Sequence, residues 1–322
     1  MSNDIASLYE ALAEVVHGSV ERSWPLKRFT TYRLGGPAEI YVEPAGLEDL
    51  VALSTQLRAL ASSGEVPVLV LGRGSNLVIS DAGWPGVAVR LGQPFAGMHL
   101  LEDDPLSFDV GAAKPLPLVA NWSARRALAG MEWAVGVPGS IGGAVRMNAG
   151  AHGSDLAATL AEATVLGLDS GEVSARSGEQ LDLSYRHSNL TDREIVVSAR
   201  LKLTPESPDE IRARMESFRR HRVATQPGAL QNAGSTFKNP EGDSAGRLVE
   251  AAGLKGWRVG GASVSDIHAN FFMADDTATA QDVFDLIHDV RRKVNDAFGV
   301  ELTPEVRFAG SFAKREAEVR RT

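Results

Sequence analysis

The sequence predicts an α+β protein of two or three domains. The chain has 322 residues, which is long for a single hydrophobic core. Apolar residues recur at helical spacing in residues 4–17 and 46–64, and the pattern then changes near residue 86 to short strands separated by Gly, Pro and Asp. Helical spacing returns after residue 205. The length and these two changes of pattern are the basis of the prediction.

The composition excludes several functional classes. Hydrophobic residues make up 43% and charged residues 23% of the chain, as in globular proteins, and the net charge of −8 argues against binding to nucleic acid. No apolar run approaches the roughly 20 residues of a membrane helix, and the first residues lack the pattern of a signal peptide. The chain has no cysteine, which excludes disulfides and thiolate metal sites. We expect a cytoplasmic protein without a metal site, and without membrane insertion or a nucleic-acid partner.

The first part of the chain predicts a strand–helix–strand unit. Residues 38–44 and 66–72 read as strands, and the segment between them repeats leucine at helical spacing. From residue 86 to residue 204 we expect five short strands, interrupted by one helix in residues 116–130.

Helices dominate the last part of the chain. Ser207 and Pro208 are suited to the start of one helix, and a second is expected to end near Gly253 or Gly256. The most regular helix lies in residues 279–299, where Thr279 and Asp282 form a capping-box pattern and Gly299 marks the end.

Two glycine-rich stretches are candidates for a cofactor site. The first, GRGSNLVISD (72–81), follows a strand but lacks the third glycine and the helix of a dinucleotide-binding fingerprint. Its exposed backbone N–H groups can form an anion-binding nest, and a plain turn between strands is an equal alternative. The second, GVPGSIGGAVRMNAGAHG (136–153), contains six glycines. Glycine is costly to order, so this crowding predicts close approach of a cofactor to the backbone, the alternative being tightly packed strands.

In their order along the chain, the two stretches resemble the FAD-binding domain of the vanillyl-alcohol-oxidase type, which has two α+β subdomains. The resemblance implies that FAD lies against backbone-lined loops, and the absence of cysteine excludes a cysteinyl–flavin bond, so we expect non-covalent FAD. The residues assigned to FAD by this resemblance are Gly72, Arg73, Gly74, Ser75, Asn76, Leu77, Gly136, Val137, Gly139, Ser140, Ile141, Gly142, Gly143, Asn148, Ala149, Gly150 and Val196.

Four further stretches narrow the resemblance to one family. They are TTYRLGGPA (30–38), LSYRHSNL (183–190), NAGSTFKNP (232–240) and LTPEVRFAG (302–310). With the glycine-rich stretches they resemble the UDP-N-acetylenolpyruvoylglucosamine reductases, flavoenzymes of peptidoglycan precursor synthesis. The resemblance implies that NADPH reduces FAD, and that UDP-GlcNAc-enolpyruvate is then reduced to UDP-N-acetylmuramate. It also implies a C-terminal α+β substrate-binding domain.

The resemblance assigns three catalytic roles. Arg186 matches the family arginine that holds the substrate carboxylate, for which its planar fork is suited. Glu305 matches the glutamate that acts beside it on the enolate, and Ser235 matches the donor that protonates the carbon. A structural salt bridge, a surface carboxylate and a turn residue are the respective alternatives. The residues expected to contact the substrate are Tyr185, Lys238, Asn239, Lys255, His268 and Asn270.

The expected domain boundaries follow from the same stretches. We expect an N-terminal helix and lead-in (1–27), an FAD-binding domain (28–205, divided near 86), a substrate-binding domain (206–301) and a C-terminal segment (302–322). Pro240 is expected to end a strand that carries Ser235, with Asn239 on the same face. Arg219 and Arg220 are expected on a solvated helix face. No tyrosine follows Arg186, so the chain resembles the shorter subtype of the family, which lacks a tyrosine-bearing loop.

Two other functions remain open at this point. Another FAD-linked oxidoreductase of the same fold, such as a hydroxy-acid dehydrogenase, would keep the glycine-rich stretches but has no need of the Arg, Ser and Glu set. A non-catalytic nucleotide-sugar-binding protein would bind the UDP-sugar without oxidising NADPH. No protein partner is deducible from the sequence.

Overall fold

A computed structural model describes residues 2–60, 64–228 and 231–313. Contacts divide the chain into two compact units. The first unit comprises residues 1–24, 38–73 and 86–224, and the second comprises residues 25–37, 74–85 and 225–322. The chain thus passes between the units several times, and one of these passages lies between Arg73 and Gly74, inside the first glycine-rich stretch.

The helices follow the predicted pattern with one addition. The capping box of Thr279 and Asp282 is present, and Gly299 ends that helix in the left-handed conformation, as predicted. The helix predicted over 116–130 ends earlier, at Ala124. The helix in residues 141–147 was not predicted. The helices are α1 Ser2–Val15, α2 Leu47–Ala59, α3 Leu116–Ala124, α4 Ile141–Met147, α5 Pro208–Thr225, α6 Ala245–Ala251 and α7 Ala280–Phe298.

The strands confirm the predicted change to short β segments after residue 86. They are β1 Ser19–Pro25, β2 Pro37–Glu43, β3 Val68–Leu71, β4 Leu77–Ile79, β5 Trp84–Arg90, β6 Met98–Leu100, β7 Ser107–Gly111, β8 Leu128–Ala129, β9 Gly150–Ala151, β10 Ser154–Asp155, β11 Leu160–Gly167, β12 Val173–Ser177, β13 Glu194–Lys202, β14 Thr204–Pro205, β15 Arg258–Val259, β16 Ala262–Val264, β17 Phe272–Ala274 and β18 Arg307–Ala309.

Two larger sheets form the first unit. The order β1-β2-β5-β3 places β5 between the two strands of the predicted strand–helix–strand unit, and β3 runs parallel to β5. The order β12-β11-β13-β7-β6 is an antiparallel sheet. One continuous core of buried apolar side chains serves this unit, and Trp133 and Phe108 are among its largest members.

The second unit has its own core. Strands β15, β16 and β17 form an antiparallel sheet, and α7 packs on it with Val283, Ile287 and Val290 fully buried. Strand β18 lies parallel to β4. The Asp81 carboxylate accepts the N–H groups of Ala280 and Gln281, each at 3.0 Å, and so caps the start of α7.

Two expectations differ from the structure. The stretch 232–240 is not a regular strand, because Ser235 and Phe237 make only isolated bridges, to Phe271 and Pro304 respectively. The second glycine-rich stretch is not built of strands alone, because helix α4 forms inside it, before β9. The two units meet in the chain at 24/25, 37/38, 73/74, 85/86 and 224/225, and the domain boundaries given above stay a prediction. Residues 314–322 of the expected C-terminal segment lie outside the described residues.

Within the described ranges, no helix has the length and apolar character needed to cross a membrane. The same residues contain no cluster of three or more His, Asp or Glu side chains arranged to hold a metal ion.

Candidate active site

Two exposed glycines and one buried serine bring the two glycine-rich stretches together in the first unit. A Cβ atom at Gly72 would lie 2.9 Å from the Ser140 hydroxyl, and one at Gly143 would lie 3.7 Å from the same oxygen. Ser140 is buried, whereas the backbone of Gly72 and Gly143 is exposed. We call Gly72, Ser140 and Gly143 the glycine cradle, because an elongated ligand can approach this backbone without meeting a side chain.

Four other glycines of the second stretch make room for protein atoms. A Cβ atom at any of these four positions would come within 3.1 Å of a neighbouring residue, whereas one at Gly153 would meet nothing within 4 Å. These neighbours are Arg222 at Gly136, Leu116 at Gly139, Ala112 at Gly142 and Ser154 with Asp155 at Gly150. Glycine is therefore frequent in this stretch for two reasons, exposed backbone and close internal packing. Internal packing explains more of these glycines than the sequence alone predicts.

Asn148 joins the end of α4 to the turn that carries Arg186. It ends the helix in the left-handed conformation, with φ of 38°, and is almost completely buried. Its amide nitrogen donates to the Ser184 carbonyl at 3.0 Å and to the Asp155 carboxylate at 3.1 Å. Its amide oxygen accepts the N–H of Ala157 at 2.9 Å. The Asn148 side chain therefore holds the fold of this region.

Arg186 lies in a tight turn, Ser184–His187, which we call the arginine turn. The N–H groups of Ser184 and His187 each donate to the other's carbonyl. Arg186 has φ of 54°, a value that costs a non-glycine residue about 1–2 kcal/mol. Its Nη2 donates to the Gly150 carbonyl at 2.6 Å, which binds the guanidinium to the second glycine-rich stretch. Strained residues held in this way cluster at functional sites.

In the second unit, the first glycine-rich stretch meets the segment that carries Glu305. The Asn76 amide nitrogen donates to the Glu305 carbonyl at 3.0 Å, and Arg307 N–H donates to the Asn76 carbonyl at 2.9 Å. Leu77 pairs with Arg307 in the β4–β18 ladder. Gly74, with φ of 59°, permits the carbonyl of Phe29 to approach where a Cβ would lie. These contacts give Asn76 and Leu77 structural roles in positioning the segment of Glu305, and Gly74 a structural role against Phe29.

Ser235 lies where three segments of the second unit cross, which we call the serine crossing. Ser235 bridges Phe271, and the next residue, Thr236, accepts the N–H of Glu305 at 2.8 Å through its carbonyl. Phe237 bridges Pro304. At the serine crossing, Glu305 therefore pairs with the residue that follows Ser235, so the two backbones lie close together. The Ser235 side chain is half-buried, and its hydroxyl makes no hydrogen bond among the described residues.

Asn270 and Asn239 have identified structural contacts. The Asn270 amide accepts the N–H of Phe237 at 2.9 Å and donates to its carbonyl at 2.8 Å, as a paired strand would. Asn239 accepts the N–H of Ala245 at 3.1 Å, at the start of α6. Lys238 N–H donates to the Thr303 carbonyl at 2.9 Å. Asn270 is buried, whereas Asn239 is exposed.

The other expected contact residues lie in varied environments. Lys255 forms an ion pair with Glu250 at 2.8 Å, and His268 Nδ1 accepts the N–H of Asn270 at 3.2 Å. Burial lowers the pKa of His268, which keeps it neutral as an acceptor. Tyr185 is 53% exposed in the arginine turn, and its ring lies 5.1 Å from the Arg186 guanidinium carbon. Val196 is buried in the core of β13.

Sequence reasoning missed two residues of the first unit: Arg222, which lies beside Gly136, and His152, which stacks on Phe218 of the same helix as Arg222. The sequence does not distinguish Arg222 from its neighbours Arg219 and Arg220, because its partial burial depends on the packing of α5. In the sequence, His152 is only one residue of a glycine-rich stretch. No local pattern connects two residues 70 positions apart in the chain.

Two family models match this chain. A family model described as an FAD binding domain matches residues 38–176, and one described as UDP-N-acetylenolpyruvoylglucosamine reductase, C-terminal domain, matches residues 226–309. The fold and site thus define a flavoprotein with an α+β FAD-binding domain followed by a second α+β domain.

Individual relatives cover almost the whole chain. The UDP-N-acetylenolpyruvoylglucosamine reductases of Agathobacter rectalis and Acidiphilium cryptum are each 43% identical, over 89% and 96% of this chain and 93% and 97% of their own lengths. A crystal structure of the reductase from Thermus caldophilus matches with a TM-score of 0.76 and 37% identity, over 91% of this chain and 100% of that one. The chain belongs to the UDP-N-acetylenolpyruvoylglucosamine reductase family.

Proposed function

We propose that this protein reduces the enolpyruvyl ether of UDP-GlcNAc-enolpyruvate to UDP-N-acetylmuramate, with NADPH as reductant and FAD as cofactor. The observation that carries the proposal is the 43% identity to reductases of this name over up to 96% of the chain. The product is a precursor of peptidoglycan, so the protein acts in cell-wall synthesis.

The glycine cradle fits FAD. Exposed backbone at Gly72 and Gly143, on either side of the Ser140 hydroxyl, suits a cofactor that is held by main-chain contacts. The chain has no cysteine, so the flavin is bound without a cysteinyl link. When bound, FAD would supply the hydride-transfer chemistry between NADPH and the enol ether.

Arg186 is proposed to bind the substrate carboxylate. The hydrogen bond from its Nη2 to the Gly150 carbonyl fixes the plane of the guanidinium, and a fixed fork matches two carboxylate oxygens. Hydride arrival at the terminal vinyl carbon places negative charge next to that carboxylate, and a fixed cation stabilises it there.

Ser235 is proposed to protonate the carbon that bears the carboxylate. Its hydroxyl makes no hydrogen bond to the described residues, so its proton is available to a substrate. Serine is a weak acid, and Glu305, whose backbone pairs with the residue after Ser235, is proposed to act beside it on the enolate.

A visible spectrum and two assays test the function. The purified protein should show the two absorbance peaks of oxidised flavin, and it should oxidise NADPH only when UDP-GlcNAc-enolpyruvate is added. Flavin reduction by 2-hydroxy acids would instead identify a hydroxy-acid dehydrogenase. Binding of the UDP-sugar without any flavin spectrum would identify a nucleotide-sugar-binding protein. The cytoplasmic location and the shorter subtype stay predictions.

A further inference from the structure

Helix α5 carries two arginines with opposite electrostatic surroundings. Arg214 contacts the Glu206 and Glu132 carboxylates, each at 2.5 Å, and these hydrogen bonds raise its pKa. Arg222 lies eight residues later on the same helix and is half-buried. Burial lowers its pKa, and no carboxylate among the described residues pairs with it. A partly desolvated guanidinium without an anion is costly, so this position is suited to an anion from outside the chain.

The chain makes room for the Arg222 side chain at Gly136. A Cβ atom at residue 136 would lie 2.4 Å from Arg222 Cδ and 2.7 Å from its Nε. Gly136 has no positive φ, so this close approach, and not backbone conformation, is what requires glycine there. The glycine at position 136 therefore allows Arg222 to lie against the second glycine-rich stretch. The described residues show no other role for this glycine.

A histidine with a free ring nitrogen lies beside this arginine. His152 stacks flat on Phe218 of α5, with ring centroids 4.1 Å apart, and Nε2 is buried without a hydrogen-bond partner. His152 and Gly153 both have positive φ, as in a type I′ hairpin turn between β9 and β10, where Asn-Gly is the favoured pair. His152 therefore lies in a strained turn, and its Nε2 is free to donate or accept a hydrogen bond.

We propose that Arg222 and His152 form a binding subsite for a nucleotide phosphate. Arg222 would bind phosphate oxygens with its planar fork, and protonated His152 would donate Nε2–H to the same group. Arg222 lies in the last turn of α5, where the helix dipole favours its charged form. The identity of the nucleotide rests on the proposed function. That function involves three phosphate groups that could bind here: the FAD pyrophosphate, the UDP-sugar diphosphate and the NADPH 2′-phosphate.

Affinity at this subsite should rise as the pH falls. Burial, together with the charges of Arg222 and His221, lowers the pKa of His152 in the free protein. A bound phosphate favours the protonated ring and so raises that pKa, which means that the phosphate binds more tightly below the bound-state pKa than above it. Among the described residues, Arg222 and His221 of α5 are the charged or titratable groups that lower the pKa of His152, so His221 must be tested separately.

The test measures binding of inorganic pyrophosphate, UDP, NADP⁺ and NAD⁺ to the purified holoprotein by calorimetry, and release of FAD on dilution by fluorescence. Arg222→Gln should weaken one phosphate ligand by about 10- to 100-fold, as expected for loss of hydrogen bonds to a charged group. Faster FAD release would identify the flavin pyrophosphate as the ligand of the subsite. Weaker UDP binding would identify the diphosphate of the sugar nucleotide. Loss of the preference for NADP⁺ over NAD⁺ would identify the NADPH 2′-phosphate.

Three further variants make the test specific. Arg220→Gln removes the same charge from an exposed position on α5 and should leave all affinities within about twofold. Gly136→Ala keeps the charge of Arg222 but displaces it, and should weaken the same ligand. His152→Asn suits the hairpin turn and should abolish the pH dependence, while His221→Asn should retain it.

The free protein gives a second readout. Removing a half-buried charge without a partner should leave the melting temperature of Arg222→Gln unchanged or raised, whereas an arginine that stabilises the fold would lower it. The proposal is overturned if all affinities and FAD release match the wild type, or if Arg220→Gln causes the same loss. Either result is independent of the flavin spectrum and NADPH turnover, which test the proposed function.

Discussion

The arginine turn and the serine crossing are built in opposite ways. Arg186 is anchored by a hydrogen bond to the Gly150 carbonyl and sits in a strained backbone conformation. At the serine crossing the backbone is paired with two other segments, but the Ser235 hydroxyl makes no hydrogen bond to the described residues. A group that binds an anion gains from being fixed in advance, whereas a proton donor must keep its proton free for the substrate. The difference matches the two proposed roles.

The largest expected effect is that of Ser235→Ala, which removes the free hydroxyl and leaves the crossing intact. Loss of a general acid costs about 10²–10⁴ in rate. We therefore expect reoxidation of the reduced flavin by UDP-GlcNAc-enolpyruvate to slow by this factor, and reduction by NADPH to keep its rate. Stopped-flow flavin absorbance measures the two half-reactions separately. Near-normal reoxidation would make Ser235 a turn residue.

Asn270→Ala tests whether the serine crossing depends on the Asn270 amide. The change leaves the buried N–H and carbonyl of Phe237 without hydrogen-bond partners, which costs about 1–3 kcal/mol for each group. We expect the free energy of unfolding to fall by about 2–4 kcal/mol, measured by urea denaturation. Asn239→Ala is the matched control, since it removes one exposed cap and should cost about 1 kcal/mol. Normal stability with weakened UDP binding would instead assign Asn270 to the substrate.

Arg186→Lys tests the anchored fork of the arginine turn. Lysine keeps the charge but loses the planar geometry, so we expect the substrate half-reaction to slow by about 10- to 100-fold. The NADPH half-reaction should be unaffected. Equal loss in both half-reactions, with a lower melting temperature, would show that Arg186 only holds the Gly150 region together.

The smallest expected effect belongs to Thr236, the residue next to Ser235. Its side chain is 1% exposed, and Oγ1 is buried without a hydrogen-bond partner. Thr236→Val keeps the shape and removes the unsatisfied hydroxyl, so we expect unfolding to require about 1–2 kcal/mol more free energy. Thermal denaturation measures this, and both half-reactions should keep their rates. Destabilisation by valine would mean that the Thr236 hydroxyl has a role in the crossing.

The α+β class, the helices with clear periodicity and the family can all be recognised from short stretches of sequence. The spacing of Val283, Ile287 and Val290 and the Thr279 capping box identify α7, because helical spacing and capping act over a few residues. The motifs around Arg186, Ser235 and Glu305 likewise occupy short continuous stretches, which a reader of one sequence can recognise.

The contacts of each glycine and each polar side chain, in contrast, depend on the tertiary structure. Gly142 and Gly143 are neighbours in sequence, yet one faces Ala112 and the other is open, because helix α4 turns them in different directions. The stretch carrying Ser235 reads as a strand, but it pairs with residues 271 and 304, which no local pattern connects to it. Asn270 becomes a partner of Phe237, and Arg222 a neighbour of Gly136, for the same reason. Such contacts depend on the packing of segments far apart in the chain, and sequence periodicity reports only on neighbours.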